Sequence, residues 1–166
     1  MEDRKDNFNI SGDVDKRSQP VQEIVEKIVN SYCSELSMVI HKLRSMIKDD
    51  TTELSDLEIE DILIQLPIIL YDMTDSQEMV GLQNDVANQI YKEANSEAFR
   101  LARGTISDKT AAADLSTRSQ QVEKIIFDRS YKIIKQKIEM AIETLNSVKK
   151  IQASRMQRYD LSRFNR

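Results

Sequence analysis

The stretch TISDKTAAADLSTRSQQVEKIIFDRSYKIIKQKIEMAIETLNSVKKIQASRMQRY, residues 105–159, contains neither glycine nor proline. Ala111, Leu115, Val122, Ile126, Ile133, Ala141, Leu145, Val148 and Ile151 recur along it at spacings near three and four, the period of a helix with one apolar stripe. Thr105 or Ser107 supplies a side-chain oxygen to cap its start. A helix of roughly 50 residues spans about 75 Å. A domain of this size does not cover so long a stripe by itself, so coiled-coil or multimeric packing is expected.

Upstream the same period recurs. Ser18 and Pro20 mark a helix start, followed by Val21, Ile24, Val25, Ile28, Val29, Tyr32, Leu36, Val39, Ile40, Leu43 and Ile47, with an end near Asp49–Thr52. Ser55 and Glu58 form a capping-box pattern before Ile59, Ile62, Leu63, Leu66, Ile69 and Leu70, and Pro67 predicts a kink or an early stop there. A further helix is expected from about Ser76 to Arg103, on the face Met79, Val80, Val86, Ala87, Ile90, Tyr91, Ala94, Ala98, Leu101 and Ala102, closed by Gly104. Residues 1–17 are polar and charged, which predicts a flexible tail.

Composition agrees with this pattern. Three glycines and two prolines in 166 residues leave little material for turns, and strong helix formers dominate. The fold expected is all-α: an elongated bundle of about four helices with a long C-terminal one, residues 18–166 forming one domain completed by homo-oligomerisation. No signal-peptide pattern opens the chain and no apolar run is long enough to cross a membrane. A single cysteine, Cys33, has no internal disulfide partner. A cytoplasmic protein is the expectation, in the host cytoplasm if the source is a phage.

Several chemistries find no support. His41 is the only histidine and lies amid Lys42 and Arg44, which gives no support to a His-based zinc site or a His-containing triad within one chain. No glycine-rich phosphate loop is present. The acidic stretch Asp49–Asp61 lacks the central glycine and ligand spacing of an EF-hand, and reads as a solvated cap and linker. Cys33 sits on the apolar face of the first helix, where a structural thiol is expected. No enzymatic function and no cofactor are expected.

Charge is more informative. The net charge of −4 conceals a polarity: residues 1–84 carry 18 acidic and 8 basic side chains, residues 85–166 carry 10 and 16. Such a basic half suggests an anionic partner or head-to-tail subunit contacts, the alternative being a solvated helix surface with random charge drift. From Arg118 to Arg166 there are 12 cations and 5 acids. Phe127, Tyr131, Tyr159 and Phe164 lie among them, although Phe127 and Tyr131 read individually as core. Cations that track phosphates beside aromatic faces that stack bases are a common arrangement for holding single-stranded nucleic acid. The expected contacts are Arg100, Arg103 and Lys109 near the Gly104 elbow, and Lys124, Arg129, Lys132, Lys135, Lys149, Lys150, Arg155 and Arg158 on the last helix. Arg100 and Arg103 are read as neighbours on one side of a helix end, where capping the helix dipole is the competing role.

Over about residues 79–156 the pattern resembles the UvsY-like recombination mediators of tailed phages. The resemblance rests on the Ala-rich helix ending in Arg100-Leu101-Ala102-Arg103-Gly104, a polar spacer, and a final helix carrying Tyr131-Lys132-Ile133-Ile134 and Leu145-Asn146-Ser147-Val148-Lys149-Lys150-Ile151. The family's basic motif has paired tyrosines where this chain has Leu101-Ala102-Arg103. What the resemblance implies is a helical ring-like oligomer that binds single-stranded DNA, with Arg100 and Arg103 as DNA contacts. It implies as partners a RecA-type recombinase and a single-strand-binding protein. The alternatives are a phage structural or assembly protein whose long helix packs subunits together, and a small adaptor or inhibitor that binds a host protein by helix-in-groove contacts.

Overall fold

The computed structural model describes residues 10–48 and 54–164. They form four helices and no strand: α1 (Ile10–Lys48), α2 (Asp56–Leu101), α3 (Ile106–Ser116) and α4 (Arg118–Phe164). The chain is all-α with a long C-terminal helix. No helix among the described residues is long and apolar enough to cross a membrane.

Helix α1 begins at Ile10, ahead of the expected start at Ser18, so residues 10–17 are helical, and residues 1–9 lie outside the described ones. Pro20 therefore sits within α1, where it removes one backbone hydrogen bond on an exposed turn. Side chains brace that turn. Ser18 Oγ donates to the Asp15 carbonyl at 3.1 Å, and Gln19–Glu23 and Gln22–Glu26 pair one helical turn apart at 3.1 and 2.8 Å.

The capping box at the start of α2 forms as expected: Ser55 N–H donates to Glu58 Oε2 at 2.8 Å and Glu58 N–H to Ser55 Oγ at 3.3 Å. Pro67 does not end the helix. Residues 56–101 form one element instead of the two expected. The reason lies in the spacing of what is buried: Ile59, Leu66, Met73, Val80 and Ala87 recur every seven residues in one seam, and that seam passes Pro67 without a break. The lost hydrogen bond is offset by packing at Ile62, Leu66 and Met73.

At the other end of α2, Gly104 adopts φ +113°, which lets the chain turn out of the helix. Thr105 then caps α3 in a second reciprocal box with Asp108. The expected single last helix is divided into α3 and α4 at Thr117, a residue with φ −103° and ψ 16°. The division is local. Thr117 N–H still reaches the Ala113 carbonyl at 3.0 Å, and Gln121 N–H reaches the Thr117 carbonyl at 3.0 Å.

The helices contribute to two compact units. One takes residues 29–83 and 131–166, the second half of α1, the first part of α2 and most of α4. Its core is built on seven-residue steps, Val29-Leu36-Leu43 on α1 and Ile134-Ala141-Val148 on α4, against the α2 seam. Lys42 meets Asp61 at 3.0 Å, and Arg155 meets Asp56 at 3.0 Å. The Tyr131 ring lies against Gly81, where an added Cβ would come within 3.3 Å of it. Lys137 meets Ser37 at 3.3 Å. These pairs fix the directions: α1 and α4 run parallel to each other in this unit, and both run antiparallel to α2.

The other unit takes residues 1–28 and 84–130. Here the end of α2 returns along α3 and the start of α4. Asn95 Nδ2 donates to Asp114 Oδ1 and to Thr117 Oγ1, both at 3.3 Å. Val25, Ala87, Ala113, Thr117, Ile126 and Ser130 are its buried residues. Several side chains expected inside are exposed: Met79, Val86, Ile90 and Leu101 on α2, Leu115 on α3, and Val122 and Ile151 on α4.

Candidate nucleic-acid interface

Counted over the described residues, one unit carries 11 acidic and 11 basic side chains and the other 11 and 10, so the polarity between the two halves of the chain does not survive as a polarity between the units. The acidic part of α2 and the basic α4 lie together, and part of their complementarity is used internally. An interface for a polyanion must therefore be sought among individual exposed cations.

In the unit built on residues 1–28 and 84–130, Arg100 is exposed in the last turn of α2, where it also complements the helix dipole. Arg103 is exposed but lies beyond Leu101, the last helical residue, so the expected pairing of Arg100 and Arg103 on one helix side is corrected. Arg100 shares a shallow depression with Lys92, Glu93 and Glu97. Two carboxylates thus accompany two cations there. The Lys109 ammonium sits 5.9 Å from the centre of the Phe99 ring, and the Lys124 ammonium 5.0 Å from that of Tyr91. In each pairing the ammonium stands over the face of the ring. Arg129 is exposed on α4.

In the other unit, Lys132 and Lys135 are exposed on α4, one turn apart and away from the buried Ile134 and Ile138. Lys149 and Lys150 are exposed directly after Val148, the last buried apolar residue of α4 among those described. Arg158 and Tyr159 are exposed further along. Arg155 is different. Its guanidinium bonds to Asp56 at 3.0 Å and its side chain is only 22 % exposed, so it ties the end of α4 to the start of α2. The expectation that it is available to a ligand is corrected accordingly. The aromatic ring of Phe164 lies outside the described side chains.

One cationic cluster escapes a reading by sequence spacing. His41 and Arg44 on α1 and Lys137 on α4 line a common groove. About one hundred residues separate the two helices in sequence, and no local periodicity brings such positions together; the adjacency of His41 and Arg44 was the only visible trace.

Cys33 is fully buried, as expected for a structural thiol. Burial pushes its pKa up, with the Lys137 ammonium pulling weakly the other way. Among the described residues no three of His, Cys, Asp and Glu stand together as metal ligands do. Compared with protein-family models, curated proteins and solved structures, the chain matches none of them.

Proposed function

We propose that this chain is a non-enzymatic, single-stranded DNA-binding accessory of recombination or replication, a mediator-like protein that works as a helical oligomer. The observation that carries the proposal is the pairing of exposed or half-exposed cations with aromatic faces, Lys109 with Phe99 and Lys124 with Tyr91, together with the exposed Lys132, Lys135, Lys149, Lys150 and Arg158 of α4. Cations of this kind hold phosphates, and ring faces accept bases without regard to sequence. On the family resemblance, the partners are a RecA-type recombinase and a single-strand-binding protein.

The test is a mobility-shift titration with single-stranded oligonucleotides at two salt concentrations. Affinity is expected to fall steeply as salt rises, because each neutralised phosphate releases a counterion. Lys132→Glu with Lys135→Glu is expected to weaken binding roughly tenfold or more at low salt. Unchanged affinity in that double variant would remove α4 from the interface.

A second reading, a structural or assembly protein, is favoured by a specific observation. On α2, Leu57, Ile64, Ile68, Tyr71 and Leu82 are 78, 64, 58, 79 and 61 % exposed. They form a second apolar stripe on the side of the helix away from the buried seam. No Lys or Arg occurs between Lys48 and Lys92, while eight carboxylates lie from Asp56 to Asp85. The stripe supports self-association in either reading.

A further inference from the structure

Between the parallel helices α1 and α4 lies a groove of about 230 Å³. His41, Arg44 and Lys137 stand along it, and among the described residues no carboxylate does. Ile40 and Met140 give it an apolar surface. Acids are present on the same two helices but are placed elsewhere: Glu35 lines a separate depression with Asp72, and Glu139 and Glu143 are exposed away from the groove. The half-buried Lys137 ammonium donates to a neutral acceptor, Ser37 Oγ, at 3.3 Å. Its acceptor is neutral, so an anion arriving at the groove would supply a countercharge that the described lining residues do not.

Cations beside an apolar surface fit a phosphate attached to a flat ring. Arg44 offers a planar fork to phosphate oxygens and Lys137 a point charge. We propose that this groove seats one nucleotide of a single strand, its phosphate against Arg44 and Lys137 and its base against Ile40 and Met140. The assignment rests on the single-stranded DNA reading and adds a defined seat to it.

His41 is the only histidine, so its imidazole gives one NMR signal at the groove. The full chain is titrated with an oligothymidylate of about eight nucleotides, with thymidine monophosphate, and with inorganic phosphate. The oligonucleotide and the mononucleotide are expected to shift the His41 signal to saturation, and phosphate alone to shift it less. Arg44→Gln and Lys137→Met are each expected to weaken oligonucleotide binding roughly tenfold. Lys137→Met is also expected to make the salt dependence of oligonucleotide binding shallower, which loss of a purely structural lysine would not do. If the oligonucleotide binds in a mobility shift while His41 stays unmoved and both variants bind normally, the groove assignment is overturned and the DNA reading stands. If the mononucleotide moves His41 but no oligonucleotide binds, the groove holds a free nucleotide, and both the strand assignment and the DNA reading fall. If nothing binds, both fall together.

Discussion

Ser130 is fully buried on α4, and its hydroxyl has no hydrogen-bond partner among the described residues. A buried hydroxyl without a partner costs about 1–3 kcal/mol. Ser130→Ala is therefore expected to stabilise the fold by about 1 kcal/mol, read as a rise in melting temperature; a fall would show that the hydroxyl is satisfied in solution. At the helix caps the effect is electrostatic. Hydrogen bonds from Ser55 hold the Glu58 pKa below its ordinary value, and those from Thr105 do the same for Asp108. A lowered folded-state pKa contributes stability above the ordinary carboxylate range and loses it as pH falls through and below that range. Glu58→Gln with Asp108→Asn is expected to flatten the acid side of the stability-against-pH curve, measured by denaturant unfolding. Both capping boxes were legible in sequence to different degrees, Ser55 with Glu58 in full and Thr105 only as one of two candidates, because a cap is a contact over three residues. The burial of Ser130 without a partner was not, because it depends on packing between helices and not on spacing along one of them.

At the scale of elements, α2 shows where local rules lose to packing. Pro67 removes a backbone donor and crowds the preceding turn, a cost of about 3 kcal/mol in a helix interior. The seven-residue seam from Ile59 to Ala87 nevertheless carries one helix through it. Pro67→Ala is expected to raise stability by up to about 3 kcal/mol, visible as a higher denaturation midpoint. No gain would mean that the proline ring contributes packing of equal worth. The helical class and most of the apolar positions could be read from periodicity. On α2 the inward stripe was legible over Ile59, Ile62 and Leu66. Further along, spacing groups Met79, Val86 and Ile90 with Val80 and Ala87, and only the last two are buried, because neighbouring apolar residues leave the facing side to the register of the packing helices. Likewise Thr117 gave no sign of dividing α3 from α4. Its role comes from Asn95, 22 residues earlier, reaching its hydroxyl.

For the molecule as a whole, the bare stripe on α2 is the surface on which the proposed self-association rests. Six side chains there (Leu57, Ile64, Ile68, Tyr71, Met79 and Leu82) are each more than half exposed. Together they offer on the order of 800 Å², the area one partner gives to a standard protein interface. Ile68→Glu with Tyr71→Glu is expected to lower the mass measured by light scattering without lowering the melting temperature of the folded chain. A wild-type chain that is monomeric at high concentration would remove the stripe as a subunit contact. The candidate DNA contacts were legible as a surplus of cations; the groove at His41, Arg44 and Lys137 was not, because it is made by two helices far apart in sequence.

That distance also acts on the order in which the chain is made. Val29, Cys33, Leu36 and Leu43 wait for Ile134, Ile138 and Ala141, which leave the ribosome about one hundred residues later. At the usual pace of synthesis, roughly 5–20 residues per second, the α1–α2 hairpin stays uncovered on one side for several seconds. During that interval it presents apolar surface of the kind chaperones bind, and a truncated product ending before α4 is expected to be cleaved faster by proteases than the full chain.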